Sequence, residues 1–375
     1  MTDREWAEQV KAKILAKYEA VAPRNEHKIP YSAKNGVFDD YSGDIEWWTN
    51  GFWGGILWQL YKVTQKPLYR SMAEEVEQKL DALFLHSEWM HHDSGFRWLP
   101  TAMADYQLTG NKASLNRVRL AADNLAGRYN LNGRFIRAWN DDSGANKNVG
   151  WAIIDCMMNI PLLYRASDLF KDPRWRAVAV SHATTAMSAF VREDGSVNHI
   201  VEFDPEKGGV VRTYGGQGMQ VGSSWTRGQS WALYGFTLSY VHTKDEKFLA
   251  TAKKVADKYV ARIPADGRIP VDFDQPADCT WEDESSAACA SCGLLELENV
   301  LRGKDDALAD KYHAAAMKLL KVLVSDGNFD PAVDEILDKC TGAYHEKEHN
   351  YPIIYGDYYL IEAILRLTGD ALFIW

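Results

Sequence analysis

Along most of the chain apolar residues recur with the spacing of an α-helix, and strict alternation is scarce. A second regularity is laid over the first. A helix that is apolar on all sides ends in a short polar or glycine-containing turn, and a one-sided, charged helix follows. The pattern returns at 60–76, 105–123, 163–179, 239–257, 299–316 and 364–373, with turns centred on Thr64, Thr109, Ser167, Thr243, Arg302 and Thr368. "FWGGILWQLY" and "WALYGFTLSYV" are leading helices; "MAEEVEQKLDALF" and "FLATAKKVADKYVARI" are following ones. A helix apolar all round has to be buried all round, and an amphipathic helix can cover it, so the pattern predicts an inner and an outer ring. The sixth hairpin has no room for its own outer helix, and the amphipathic stretch at 4–20 can supply it. The expected fold is all-α, an (α/α)6 barrel of six inner and six outer helices, with residues 1–375 forming a single domain. An open helical solenoid is the competing arrangement; the irregular spacing and the leftover terminal helix favour closure. The longest connection, 195–224, is expected on one face and to hold a short hairpin.

Polar and aromatic residues gather where the inner helices begin, at 46–55, 91–96, 146–155, 223–231, 282–290 and 350–359. Inner helices of such a barrel run parallel, so these ends share one mouth. Their free N–H groups and positive dipole ends suit an anion such as a carboxylate. Arg227 would add a fixed charge and a bidentate fork. Thr49, Asn50, Asp93, Ser94, Ser223, Ser224, Thr226, Ser285 and Ser286 read equally well as N-caps. Asp155 does not. In a helix starting near Val149 it falls in the second turn, among Ile153, Ile154, Cys156 and Met157. An acid so placed is rare unless paired, metal-bound or working. Desolvation disfavours its charged form, which would keep it a usable acid near neutral pH. His91, His92 and Asp93 suggest a metal site, but neighbouring side chains are expected to point apart and no further ligand set completes a shell; no metal or cofactor is expected.

Composition narrows the partners. A net charge of −10 argues against nucleic acid and anionic membranes, while leaving a small anionic substrate possible in a pocket. Aromatics reach 12%, with 14 Trp, which serve either as a sugar-stacking platform or as bulky core. The charged N-terminus lacks a secretory apolar region and no run is long enough to span a membrane. Five cysteines without a disulfide framework fit the cytoplasm, and Cys289 and Cys292 in "CASC" read as packed core thiols.

The segments "WTNGFWGGILW", "HHDSGF", "IIDCMMNIPLL", "GSSWTRGQSWALYGF", "SSAACASCGLLE" and "YGDYYLIEAILRL" closely resemble, in order along nearly the whole chain, the unsaturated glucuronyl hydrolases of glycoside hydrolase family 88. The resemblance implies an (α/α)6 catalytic barrel. It implies Asp155 as general acid/base and Asp93 as its partner carboxylate, with His92 beside it. Pocket residues would be Trp48, Trp139, His199, Gln217, Arg227 and Trp231, with Tyr351 on the closing segment. The implied substrate is a short anionic oligosaccharide left by a polysaccharide lyase, carrying a 4,5-unsaturated uronate at its non-reducing end. The implied reaction is hydration of the C4=C5 bond rather than displacement at the anomeric carbon. Some members receive a sulfate on a Ser/Lys-bearing loop before the last inner helix. Here that loop reads "YHEKEHN", with Lys347 between Glu346 and Glu348 and no serine, which predicts unsulfated or differently sulfated substrates. An unsaturated rhamnogalacturonyl hydrolase acting on pectin fragments and a non-catalytic sugar-binding barrel are the alternatives; the second has no use for Asp155.

Overall fold

Three inner helices are buried along nearly their whole length. Every residue from Thr226 to Tyr240, from Glu284 to Leu297 and from Ile354 to Leu365 is buried. The computed structural model describes residues 1–375 except 142–144 and 146, so Asn146, the first residue of the third polar cluster, lies outside the described residues. In chain order α1 (Asp3–Arg24) precedes α2 (Phe52–Thr64) with α3 (Pro67–Leu80). Next come α4 (Ser94–Trp98) and α5 (Ala104–Thr109), joined by a π-helical turn, with α6 (Lys112–Gly127). Then follow α7 (Pro161–Phe170) with α8 (Pro173–Ala189), α9 (Thr226–Thr243) with α10 (Glu246–Arg262), and α11 (Glu284–Leu301) with α12 (Asp306–Asp326). The last helix, α13 (Ile354–Thr368), takes α1 as its outer partner. Arg4 donates to the Thr368 carbonyl and Lys11 pairs with Asp370 at 2.6 Å, which closes the ring. The architecture is an (α/α)6 barrel.

The recurring threonine in the hairpin turns has a local cause. The hydroxyls of Thr64, Thr109 and Thr243 donate to the carbonyls of Leu60, Asp105 and Ser239, and accept the N–H groups of Lys66, Asn111 and Asp245. Each thus ends one helix and starts the next chain direction. The third turn is not centred on Ser167. That residue lies inside α7, and the turn falls at Lys171, in the left-handed region, and Asp172, which caps α8 just before Pro173.

Small residues let the inner helices touch. A Cβ on Gly293 would lie 2.3 Å from the Leu233 side chain, so α9 and α11 pack at that point only with glycine. Cys289 and Cys292 are buried free thiols in this contact, as expected of core residues. Below, the C-terminal tail returns to the barrel axis. Gln59 exchanges two hydrogen bonds with the backbone of Leu372, and Trp375 is wholly buried with Nε1 donating to Glu362.

The strands are short. β1 (Ala33–Lys34) pairs with β2 (Val37–Phe38), and β3 (Tyr129–Asn130) with β4 (Phe135–Ile136). β5 (Trp151–Ile153), β6 (Ile200–Phe203) and β7 (Val210–Tyr214) form an antiparallel sheet in that order. The β6–β7 hairpin is the one expected in the long connection. β5 departs from expectation: the apolar run at 151–158 is a strand and a 3-10 turn, not the start of an α-helix. Periodicity cannot separate a buried strand from a buried helix in so short a run, and pairing with β6 decides it. Asp155 accordingly sits in the first turn of a 3-10 segment (Ile154–Met158), not the second turn of an α-helix.

Candidate active site

Outer and inner helices differ at their N-termini. Thr2, Asn111, Asp172, Asp245 and Asp305 cap outer helices with a side-chain oxygen. Among the described residues no inner helix carries such a bond, although Asp93 and Asp283 occupy N-cap positions. The capping reading of the polar clusters therefore fails where it was most economical. First-turn N–H groups of the inner helices are taken by remote groups instead, Thr226 by the Val271 carbonyl, Glu284 by that of Lys339, Ile354 by that of Tyr31 and Phe96 by Asn159 Oδ1.

Asp93 is buried within a shell of donors. Arg97 donates to His91 Nε2 at 2.9 Å; a guanidinium cannot accept, so the His91 proton sits on Nδ1, 3.2 Å from Asp93 Oδ2. On the other oxygen, Asn159 Nδ2 donates to Oδ1 at 3.1 Å, and His92 Nε2 lies 3.2 Å away. Burial alone would raise the Asp93 carboxyl, but the His92 ring, the His91 hydrogen bond and Arg97 outweigh it and hold it down at about 2. His92 donates from Nδ1 to the Ala138 carbonyl, and burial lowers its basicity. The two histidines converge on Asp93 rather than pointing apart as expected, and ligand atoms of His91, His92 and Asp93 lie within 4.8 Å of one another. A cation there would compete with buried Arg97 for His91 and displace the His91 proton from Asp93.

Asp155 has the opposite environment. It is 7% exposed, and its Oδ1 has no hydrogen-bond partner. His199 Nε2 lies 3.6 Å from Oδ1. The Gln217 N–H donates to His199 Nδ1 at 2.8 Å, which places the proton of the neutral ring on Nε2, facing Asp155. The sheet sets this pair: the Ile154 N–H donates to the His199 carbonyl, directly after the β5–β6 register Ile153↔Ile200.

Trp48 and Trp139 line a cavity of about 350 Å³ with Trp47, Trp89, His91 and Asp93; its rim carries Asp44, Glu46 and Glu88. Trp139 meets His92 edge-on at 5.5 Å, and Trp48 packs on Tyr355 at 5.1 Å. Gln217 clips the closing segment through Nε2 to the Gly342 carbonyl at 2.9 Å. The Tyr351 hydroxyl lies 3.3 Å from that of Tyr31 and donates to Glu346. Burial pushes Tyr31 up to about 12 and Tyr351 higher still. A larger cavity of about 640 Å³ opens beside the C-terminal ends of α11 and α13, away from these residues. Its charged groups pair with one another, Arg366 with Glu296 and Glu362, and His313 with Glu298 and Asp3.

Two residues expected to meet the substrate are packed against the protein's own groups. The Arg227 fork is occupied: Nη1 donates to Asp283 and to the Thr341 carbonyl, and Nη2 to the Gly342 carbonyl. Its plane is sandwiched by Trp225 at 4.6 Å and Tyr355 at 5.4 Å. Burial opposes the charge, but Asp283 beside it holds the guanidinium above its ordinary range. Arg227 thus anchors the closing segment. Trp231 is wholly buried beneath the mouth, against Phe96 and Tyr359, and supports the floor. Sequence reasoning missed Asn159 and Asp283, and weighed His91 only as a metal ligand. Asn159 carried the signal that singled out Asp155, a lone polar residue in an apolar run.

The family model for Glycosyl Hydrolase Family 88 matches residues 6–374. The chain belongs to glycoside hydrolase family 88. Within it, the chain is 35% identical over 336 residues to the unsaturated glucuronyl hydrolase of Bacillus sp. (strain GL1), covering 88% of each chain. It is 34% identical over 334 residues to the unsaturated chondroitin disaccharide hydrolase of Streptococcus pneumoniae, covering 88% of this chain and 83% of that one. The solved unsaturated glucuronyl hydrolase of Streptococcus agalactiae superposes with a TM-score of 0.89 at 30% identity, over 100% of this chain and 95% of that one.

Proposed function

We propose that this chain removes the 4,5-unsaturated uronate from the non-reducing end of lyase-generated oligosaccharides of the glycosaminoglycan-disaccharide type. The reaction is hydration. Asp155 delivers a proton to C4, and a water adds its oxygen to C5 while returning a proton to Asp155. The hemiketal so formed opens and releases the neighbouring sugar. No nucleophile at the anomeric carbon is required, unlike in the ordinary two-carboxylate glycosidases.

One observation carries the division of labour. Asp155 Oδ1 is buried and unbonded, whereas both oxygens of Asp93 are engaged by donors. The free oxygen suits proton delivery to carbon; the saturated carboxylate suits holding a hydroxyl between itself and His92. Trp48 and Trp139 supply flat apolar walls for the sugar faces. The positive dipole ends of the inner helices favour a substrate carboxylate at the shared mouth. The acidic rim of the cavity, together with exposed Glu346 and Glu348 around Lys347, disfavours a sulfate on the second sugar. Among the described residues no helix is long and apolar enough to cross a membrane. All five cysteines are free, four of them buried, which supports a cytoplasmic setting.

A panel of unsaturated disaccharides, sulfated and unsulfated, tests the proposal through loss of the double-bond ultraviolet absorbance. In deuterated water the early keto-acid product should carry one deuteron at C4. Brisk cleavage of a saturated glucuronide of the same linkage would overturn the hydration reading.

A further inference from the structure

We infer that Asn159 is a positioning residue that holds the two carboxylates of the site in register. Its amide bridges the two residues: Nδ2 donates to Asp93 Oδ1 at 3.1 Å and to the backbone carbonyl of Asp155 at 3.1 Å. Its Oδ1 accepts the N–H of Phe96, in the first turn of α4, at 2.8 Å. Asn159 is wholly buried, so all three bonds are made in the absence of competing water. Close packing leaves it no room to move. A Cβ on Gly95 would lie 2.4 Å from Asn159 Cα and 2.6 Å from its carbonyl oxygen.

The geometry explains why an amide stands there. Asp93 opens the second inner helix and Asp155 lies in the 3-10 turn before the third, so no shared backbone element fixes their separation. Asn159 belongs to the end of that 3-10 turn and reaches across to α4 with a donor and an acceptor at once. Serine is too short to do both, and aspartate has no donor to give when ionised.

The inference rests on the proposed hydration reading, and the test separates the two. The groups facing Asp93 are His91, His92 and Arg97 on its own segment, Asn159 and Asp155 on the facing turn, and Cys156 and Arg128 nearby. Asn159→Ser removes one donor from the Asp93 carboxylate, so its titration should move upward, read by carboxyl carbon NMR without turnover. Its kcat/KM on an unsaturated chondroitin disaccharide should fall about 10²-fold, the cost of an ångström-scale misplacement. Asn159→Asp should move the titration further, because two carboxylates 3.1 Å apart cannot both ionise freely. A merely structural role would lower the melting temperature and leave Asp93's titration and the acid limb of the kcat/KM profile where they are in the wild type; that result overturns the inference. Should Asn159→Ser fail to fold, Asn159→Asp decides by the same two readings. If the wild-type protein is inert on the disaccharide while the titration moves, the hydration reading fails and the positioning stands.

Discussion

His199 Nε2 stands 3.6 Å from Asp155 Oδ1, and its other ring nitrogen is fixed by the Gln217 N–H. The Gln217 N–H on Nδ1 leaves Nε2 as the ring nitrogen turned towards the carboxyl group, beyond the distance of a direct hydrogen bond.

Asp155→Asn keeps the shape of the side chain and cannot deliver a proton. Turnover should fall by about 10²–10⁴-fold, the usual worth of a general acid/base. The thermal melt should stay within a few degrees of wild type, because Oδ1 has no partner to lose. A variant retaining a tenth of wild-type kcat would place the proton donor elsewhere.

Gly216→Ala reaches the same pair from the other side. Gly216 has φ +58°, and a Cβ there would lie 2.0 Å from His199 Nδ1. The ring has to shift, breaking its bond to Gln217. Turnover should drop about 10²-fold, against a stability loss of only about 1–2 kcal/mol for the left-handed backbone. Paired kinetics and denaturant melts read the two effects; equal wild-type turnover would mean that His199 does not depend on this contact.

Arg227→Met should act on stability more than on binding. It leaves Asp283 buried and unpaired, an effect of about 3–5 kcal/mol, and frees the Thr341 and Gly342 carbonyls. Urea unfolding measures it. The double change Arg227→Met with Asp283→Leu should recover part of the loss, since neither charge then remains buried. A large rise in KM with unchanged stability would instead return Arg227 to the substrate.

Two buried acids on the closing side set a pH dependence. Burial raises Asp357 to about 7 and Glu284 to about 8, although backbone N–H groups of Ile336, Leu337 and Lys339 bond them. The folded chain therefore binds more protons than the unfolded chain between the ordinary carboxylate range and those values. Stability from these groups is full below the unfolded values, and is lost as pH rises towards about 8. Melts across pH 5 to 9 should show this decline, flattened in the Asp357→Asn and Glu284→Gln variants. A rise in stability over the same window would contradict the sign.

What the sequence determined by itself is what local physics writes into it. Helices apolar on all sides had to be inner, one-sided ones had to cover them, and the stretch at 4–20, observed as α1 (Asp3–Arg24), had one vacancy to fill. A lone acid among Ile154, Cys156 and Met157 was legible as exceptional for the same reason. Tertiary structure decided what depends on contacts remote in sequence. Pairing with β6 made 151–153 a strand and moved Asp155 to a 3-10 turn. Asp283, 56 residues after Arg227, claimed the guanidinium fork that a substrate carboxylate was expected to use. Asn159, in the same apolar run as Asp155, acquired its meaning only when α4 was brought against it. A buried hydrogen-bond donor takes whatever acceptor the fold presents, and one-dimensional spacing does not say which acceptor that is.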